Sequence, residues 1–326
     1  MLQKSDSLSL ALCIPAYNAA AFIHRLLESA LAQTIPFDEI WVYDDCSTDN
    51  TAEVATKFGA KVICGELNRG CSFGKNVLAE KTTCDWIHFH DADDVLYPNF
   101  VESAHKWMQQ EHPPDVVFFS YETRDYNTDK KLGLRKFDDA ELRRDAIAYT
   151  LKEQINPFCG LYRRDAFLQA GGWDTDPLIL QSEDQATHGR LARAGLTFAA
   201  DPTVTVINYI RPNSMTTSNM AGAARSTFHV MRKAAEALEG RYNDEISQRL
   251  WGIAGVSASY LDWDNADACV TLAVSLNDRI PKSSSLLFKS ICLCNPYWAI
   301  RIREFIIRIF KPSLRQKSRL KTLVVK

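Results

Sequence analysis

The sequence predicts an α/β protein with a doubly wound, mostly parallel sheet and a helical C-terminal extension. Three observations predict this class. Short apolar runs alternate with amphipathic stretches from residue 8 to about residue 119, which is the rhythm of βαβ units. Residues from about 220 to 280 have helical periodicity throughout. The length of 326 residues and the apolar content of 46% suffice for one sizeable core and an appendage.

Each apolar run in the first part is predicted as a strand, and each amphipathic stretch between two runs as a helix. The predicted strands are Leu8–Ile14, Glu39–Tyr43, Lys61–Cys64, Asp85–His90 and Asp115–Phe119. The predicted helices are Ala20–Gln33, Thr51–Phe58, Ser72–Glu80 and Asn99–His112. This alternation implies parallel pairing, and in such sheets ligands bind outside the carboxyl ends of the strands.

The pattern loosens after residue 119 into a polar segment that ends near Gln154. It resumes with the run Phe158–Gln169, and a helix is predicted to begin near Ser182. Farther along, Ala223–Leu238 and Ile246–Leu261 have the clearest helical periodicity. We therefore expect three parts, namely an α/β domain over residues 1–215, a helical extension over 216–285 and a basic amphipathic tail over 286–326.

Charge is unevenly distributed along the chain. The net charge is −2, but the segment from residue 301 onward carries nine cations and one anion, so the remainder is acidic. An acidic body argues against nucleic acid as a partner. The nine cysteines form no CxxC pair, which is typical of reduced thiols in a cytoplasmic protein. No apolar run reaches 18 residues, and the run Leu8–Ile14 has no basic flank, so we expect a strand there and no spanning helix.

Polar and acidic residues follow four of the predicted strands. These segments are Pro15-Ala16-Tyr17-Asn18, Asp44-Asp45, Asn68-Arg69-Gly70 and Asp91-Ala92-Asp93-Asp94. Three carboxylates within four residues require a counter-charge. Mg²⁺ or Mn²⁺ suits such oxygen ligands and shares its coordination with substrate phosphates. The alternative is an acidic turn that caps the next helix. The position after the fourth strand, beside the other strand-end acids, favours the metal.

Five motifs, in this order and spacing, resemble those of the family 2 inverting glycosyltransferases of the GT-A fold. They are Ile14-Pro15-Ala16-Tyr17-Asn18, Tyr43-Asp44-Asp45-Cys46-Ser47-Thr48-Asp49, Asn68-Arg69-Gly70, Phe89-His90-Asp91-Ala92-Asp93-Asp94, and Gly171-Gly172-Trp173-Asp174 with Glu183-Asp184. The resemblance covers about residues 8–215 and implies a nucleotide-sugar-binding catalytic domain of GT-A-like fold. No QxxRW follows the Glu183-Asp184 pair, so addition of one sugar is expected in place of processive synthesis.

The resemblance also implies roles for individual residues at the donor site. Those expected along the nucleotide are Pro15, Tyr17, Asn18, Asp44, Asp45, Asn68 and Lys75. Asp93 would be the principal metal ligand, with Asp91 and Asp94 supporting the ribose, the metal or the donor sugar. The sequence departs from the family pattern at Cys46, where glycine is usual, and at Lys75, where arginine is frequent.

Asp184 is implied by the resemblance to be the general base that takes the proton of the acceptor hydroxyl, with Glu183 beside it. Both acids also fit an ordinary structural role, because Ser182-x-x-Gln185 is a capping-box pattern and acids favour the first helical turn. Arg211 resembles the family's phosphate-facing arginine, and an unspecialised surface arginine is the alternative. Trp173 is expected either to stack on a sugar ring or to pack beneath its loop.

The tail is predicted to form an amphipathic helix. Its apolar face contains Trp298, Ile302, Phe305, Ile306 and Ile309, and its polar face Arg301, Glu304, Arg308 and Lys311. This pattern fits a helix in an anionic membrane interface. The alternative is a helix packed on the protein with a solvated outer face. We therefore expect a cytoplasmic protein that is peripheral at the inner face of the plasma membrane.

The expected reaction moves one sugar from a nucleotide-diphosphate donor, expected to be UDP-linked, to a hydroxyl of a lipid-linked or surface glycan precursor. The alternative is a non-catalytic scaffold that binds nucleotide-sugar within a glycan synthesis complex. Retention of both Asp93 and Asp184 counts against the scaffold. The first strand is followed by no G-x-G-x-x-G, and the chain contains no P-loop motif, which excludes those two nucleotide-binding classes.

Overall fold

A computed structural model describes residues 8–211, 219–277, 280–282 and 284–315. These residues divide into two compact units. The first contains the described residues of Met1–Thr150, Gln154–Thr175 and Ala186–Pro212, and the second those of Leu151–Glu153, Asp176–Gln185 and Asn213–Lys326. The three-part division expected from the sequence stays a prediction.

The first unit is built on a mixed sheet that has nine strands among the described residues. The strands are β1 Leu10–Ala16, β2 Glu39–Asp44, β3 Lys61–Cys64, β4 Trp86–Phe89, β5 Val95–Leu96, β6 Val116–Asp125, β7 Lys131–Arg135, β8 Gly160–Arg163 and β9 Phe198–Ile210. Their order is β3-β2-β1-β4-β8-β6-β9-β5, with β7 paired to β6. Strands β1 to β4 are parallel to their neighbours within that group, whereas β8 is antiparallel to both of its neighbours.

Strand β1 lies at the centre of the parallel group and is buried along its whole length. Its seven residues are therefore apolar without alternation, as expected for a strand covered on both faces. The strand β3, at the edge of the sheet, has no fully buried residue. The apolar run of β1 positions the residues that follow it at the edge of the sheet where β2 and β4 also end.

The helices of the first part lie between these strands, and the sequence predicts the first four of them and the last. They are α1 Ile23–Leu31, α2 Thr51–Lys57, α3 Cys71–Lys81, α4 Phe100–Met108, α5 Asp139–Arg144, α6 Ala146–Lys152, α7 Arg164–Gln169 and α8 Glu183–Arg193. Helix α1 buries Ile23, Leu26, Leu27 and Ala30, one stripe at helical spacing. The predicted α/β class is confirmed.

The polar segment after residue 119 contains more regular structure than its sequence predicts. Strand β6 continues to Asp125, and β7, α5 and α6 follow it. Strand β9 also was not predicted, although it has 13 residues and joins β6 to β5. These elements have few of the apolar repeats that identify β1 to β4.

The second unit is helical over most of its described residues. Its longer helices are α9 Met220–Leu238, α10 Asn243–Ser259, α11 Trp263–Leu276, α12 Leu286–Cys294 and α13 Pro296–Phe310. Among the helices described, none has both the length and the apolar character needed to cross a membrane. All nine cysteines are free thiols.

Candidate functional site

Most of the predicted site residues of the first unit lie where β1, β2 and β4 end. Ala16 is opposite Asp44 in the pairing of β1 with β2. The amide of Asp45 donates to the carbonyl of Ala16 at 2.8 Å, and the amide of His90 donates to Cys13 at 3.0 Å. The chain segments that follow these strands are therefore side by side at one edge of the sheet, as the parallel topology requires.

The turn after β1 is fixed by hydrogen bonds to the turn after β2. Asn18 has a left-handed backbone with φ of 48°. Its side-chain oxygen accepts from the amide of Thr48 at 2.9 Å, and its own amide donates to the hydroxyl of Ser47 at 2.9 Å. Tyr17 is 51% exposed, whereas Pro15 is buried in β1. Tyr17 is thus accessible to a ligand, whereas Pro15 is not.

Asp45 fastens the end of β2 to the start of helix α3. Its two carboxylate oxygens accept from the amides of Arg69 at 2.8 Å and Gly70 at 2.7 Å, and the side chain is buried. Bonds from backbone amides to a carboxylate are charge-assisted, and an anion is favoured at a helix N-terminus. Asp44 accepts from the amide of Ser47 at 3.0 Å. Cys46, between Asp44 and Ser47, has φ of 63°, a left-handed conformation that glycine adopts most readily.

Asn68 and Lys75 have opposite environments. Asn68 is exposed in the loop before α3, close in sequence to the Asp45 contacts. Lys75 is buried within α3, and its ammonium lies 4.4 Å from the centroid of the Trp173 ring. Trp173 is itself buried and packs edge-on against Phe89. Of the two alternatives for Trp173, the structure supports packing beneath its loop and not an exposed stacking platform.

The acidic turn after β4 contains carboxylates with different partners. Asp94 is buried, and its oxygens accept from the side-chain amide of Asn208 at 2.9 Å and the backbone amide of Tyr209 at 2.7 Å. Burial, and then the negative charges of Asp93 and Asp91, hold the pKa of Asp94 well above its usual range. Asp94 therefore attaches the turn to β9. Asp91 and Asp93 are only partly buried.

Arg211, which directly follows β9, is paired with Asp93. Its Nε donates to Oδ2 of Asp93 at 3.0 Å, and its Nη2 contacts the same oxygen. The guanidinium carbon lies 3.9 Å from the centroid of the Phe22 ring. The arginine predicted to face phosphate thus neutralises the predicted metal ligand. The rest of the Arg211 motif lies outside the described residues.

The donor set at this turn fits a hard divalent cation only in part. Carboxylate oxygens such as those of Asp91 and Asp93 are the ligands that Mg²⁺ and Mn²⁺ prefer. Among the residues that the structure describes, however, no group of three or more His, Cys, Asp or Glu side chains is arranged to hold a metal ion. A cation here would therefore be held by one or two carboxylates and would complete its coordination with diphosphate oxygens and water.

Glu183 and Asp184 begin helix α8 and belong to the second unit. Asp184 is buried, and its Oδ1 accepts from the amide of Gln185 at 2.7 Å. The Gln185 side chain donates to the carbonyl of Leu151 at 3.0 Å. Arg249 of α10 lies within the electrostatic influence of Asp184 and Glu153. Burial lowers the pKa of its guanidinium, while these two negative charges act in the opposite direction.

Sequence reasoning missed three residues that support these carboxylates. Asn208 and Tyr209 hold Asp94 from positions 114 and 115 residues away along the chain, and no motif indicates them. Arg249 lies in an amphipathic helix without a recognisable motif. A pairing signal between distant positions is the kind of information that a single sequence does not contain.

The fold and the acidic strand-end turns define a GT-A-like protein, and comparisons with known proteins agree. S. aureus TarS, residues 1–349, has a TM-score of 0.69 at 19% identity over 92% of this chain and 91% of that one. Its complex with UDP-GlcNAc has a TM-score of 0.66. Mannosyltransferase PcManGT from Pyrobaculum calidifontis, in complex with GDP-Man and Mn²⁺, has a TM-score of 0.55 at 17% identity over 92% of this chain and 87% of that one.

The sequence model named Glycosyl transferase family 2 matches residues 11–170. An uncharacterized glycosyltransferase of Haemophilus influenzae is 27% identical over 176 residues, which are 54% of this chain and 60% of that protein. The matched segment, residues 11–170, is a glycosyltransferase family 2 domain. The predicted family and GT-A-like fold are confirmed.

Proposed function

We propose that the protein transfers one sugar from a nucleoside diphosphate sugar to an acceptor hydroxyl, with inversion at the anomeric carbon. The observation that carries the proposal is the partly buried Asp91 and Asp93 at the carboxyl end of β4, beside the ends of β1 and β2. That edge is where the ligands of open α/β sheets bind. The match of residues 11–170 to family 2 supports a sugar donor as the ligand.

The proposed donor is a UDP-sugar. Tyr17 is exposed at the end of β1, and Asp45 holds the loop that contains Asn68. These residues would border the base and ribose, with Asn18 fixing the turn between them. The complex of TarS with UDP-GlcNAc supports a uridine nucleotide, and the GDP-Man complex of PcManGT makes guanosine the donor to test against it.

Asp93, with Asp91, is proposed to hold Mn²⁺ or Mg²⁺ together with the donor diphosphate. When bound, the cation supplies Lewis-acid stabilisation of the negative charge on the departing diphosphate. Asp94 keeps the turn attached to β9 and so positions the two carboxylates. Arg211 would leave Asp93 and bind a phosphate oxygen, which restores its charge pairing.

Asp184 is proposed as the general base. Its carboxylate would take the proton of the acceptor hydroxyl as that oxygen forms its bond to the anomeric carbon. The bond between the anomeric carbon and the diphosphate oxygen breaks in the same displacement, and the nucleoside diphosphate leaves from the opposite face. Positioned proton transfer of this kind contributes about 10²–10⁴ in rate. Glu183 would add a second negative charge beside Asp184 in the first turn of α8.

The proposed acceptor is a lipid-linked or surface glycan precursor on the cytoplasmic side of the plasma membrane. Support comes from the basic amphipathic character of the C-terminal segment, which suits an enzyme that works near a membrane. A scaffold that binds nucleotide-sugar without turnover is the rival. Retention of Asp93 and Asp184 favours the enzyme, because binding alone needs no base.

The test is a panel of UDP-, GDP- and dTDP-sugars scored by thermal stabilisation in the presence of Mn²⁺, followed by donor hydrolysis. We expect one class of nucleotide to stabilise the protein and Asp93→Asn to abolish the Mn²⁺-dependent part. Ser120→Ala, a buried hydroxyl change in β6 that lies away from the strand ends, is the control. No stabilisation by any nucleotide, with or without metal, would refute the proposal.

A further inference from the structure

Helix α13 is amphipathic, but the structure orients it opposite to the expectation for a helix packed on a protein core. The side chains of Trp298, Phe305 and Ile309 are 59%, 65% and 52% exposed. Glu304 is 1% exposed, and Ala299 and Ile300 are buried with it. Three of the five residues of the predicted apolar face therefore point to solvent, whereas Ile302 and Ile306 are partly buried. Much of the polar face points into the second unit.

Ion pairs explain this orientation. Glu304 accepts from Arg315 at 2.9 and 2.8 Å and pairs with Arg308 at 2.9 Å. Arg301 is bonded to Asp267 of α11 at 2.7 and 2.8 Å. A buried carboxylate is tolerated only when it is paired, and these contacts provide the pairing. The arginines that the sequence places on a solvated face thus bind the helix to its own unit.

Neighbouring segments extend the exposed apolar surface. Apolar side chains that are more than half exposed also lie on α12, at the end of α13 and beyond it, namely Leu286, Leu287, Leu293, Phe310 and Leu314. Leu287 also lines a cleft of about 670 Å³, together with Trp251 and Ile306. Single exposed apolar residues are ordinary, whereas several of them on two helices that contact each other mark a surface that meets an apolar partner. We call the exposed apolar side chains within Leu286–Leu314 the apolar ridge.

The charges around the apolar ridge select the partner. Within the described residues, Arg303 and Lys311 are exposed and have no ion pair, and the sequence continues with Lys317, Arg319, Lys321 and Lys326. A second copy of the chain would bring two strongly basic segments together, which costs Coulomb energy. An anionic bilayer offers hydrocarbon to the ridge and phosphate to the cations at once.

We propose that the apolar ridge inserts into the interface of an anionic membrane, with Arg303 and Lys311 at the headgroup phosphates. Membrane docking of this surface is a property separate from the proposed sugar transfer. It does not depend on turnover, because vesicle binding is measured without donor or acceptor. Failure of docking and failure of the proposed function are therefore distinguishable.

The experiment is co-sedimentation of the full chain with vesicles of phosphatidylcholine, alone or mixed with phosphatidylglycerol. The parent should bind the mixed vesicles more tightly. Trp298→Ser/Phe305→Ser/Ile309→Ser should weaken that binding by at least about 100-fold, since burial of one large apolar side chain changes an equilibrium about tenfold or more. Because all three side chains are exposed, thermal unfolding and UDP binding should be unchanged.

Two further variants sharpen the test. Arg303→Gln/Lys311→Gln should reduce binding to anionic vesicles about fivefold per charge, and added salt should reduce the difference. Leu132→Ser/Leu134→Ser removes two exposed apolar side chains of β7 and should leave binding unchanged. Equal binding by the parent and the triple variant would overturn the proposal. So would a concentration-dependent dimer that the triple variant abolishes, because it would assign the ridge to a second copy.

Discussion

The pair between Arg211 and Asp93 predicts opposite effects of one substitution on metal binding. The two side chains are 24% and 26% exposed, so the pair is partly screened and contributes about 1 kcal/mol. A cation that binds Asp93 must displace this contact. Without nucleotide, Arg211→Ala should therefore bind Mn²⁺ roughly fivefold more tightly, which is the change in equilibrium constant that corresponds to this free energy.

With UDP present, the sign should reverse, because the variant no longer supplies a guanidinium to the diphosphate. Isothermal titration of Mn²⁺ with and without UDP measures both effects. Arg163→Ala is the matched control, since it breaks an Arg–Asp pair with Asp115 of 2.7 Å at another place on the sheet. If Arg211→Ala leaves Mn²⁺ affinity unchanged or weaker in the absence of nucleotide, the displacement argument is refuted.

Asp184→Asn should lower turnover by about 10²–10⁴ while donor affinity stays within error of the parent, and near-parent turnover would exclude Asp184 as the base. The pKa of Glu122 is lowered to about 2, since its bonds to Lys131, Tyr97 and Arg124 outweigh the opposing effect of burial. The stability that this group contributes is present above the unfolded pKa and is lost as the pH falls from about 4.5 to about 2. In Glu122→Gln, the urea midpoint should therefore depend less on pH over that window than in the parent. The same pH dependence in both proteins would contradict this. Glu304→Gln should destabilise the chain by about 2 kcal/mol in chemical unfolding, because it leaves arginines at a buried position without their anion, and an unchanged midpoint would show that the pair contributes nothing.

The parallel part of the fold could be predicted because its sequence is locally consistent. The runs that become β1 to β4 are apolar, short and separated by helical stretches, and their predicted bounds differ from the observed ones by at most two residues. Strand β9 was missed because Asp201, Pro202 and Thr203 interrupt its apolar pattern. It is stabilised by its pairing with β6, which is a tertiary effect that periodicity does not contain.

The location of the site could be predicted more fully than its contacts. Strand-end acids at one edge follow from parallel topology alone, and the structure places Asp45 and Asp93 there. Whether a carboxylate is free or engaged depends on residues far along the chain. Arg211 lies 118 residues from Asp93, and Asn208 lies 114 residues from Asp94. A motif identifies the type of group at a position but not the partner that the fold brings to it.

The tail shows the same limit for amphipathic patterns. Helical projection separates Trp298 and Phe305 from Glu304 and Arg308 correctly. It does not determine which face the protein covers, because that depends on whether the acid of α13, Glu304, is paired with cations in the folded chain. The residues that follow Arg315, including the last four cations of the basic tail, lie outside the described residues.

The position of Glu304 has a mechanical consequence. A helix held only by apolar contacts can rotate about its axis at a small cost in free energy, because one apolar side chain can take the place of another in such contacts. Rotation of α13 about its axis would separate Arg301 from Asp267 of α11 and would move the buried Glu304 carboxylate away from the interior of the second unit. The orientation of α13 about its axis is thereby fixed. Its exposed face therefore points in one direction relative to the rest of the second unit.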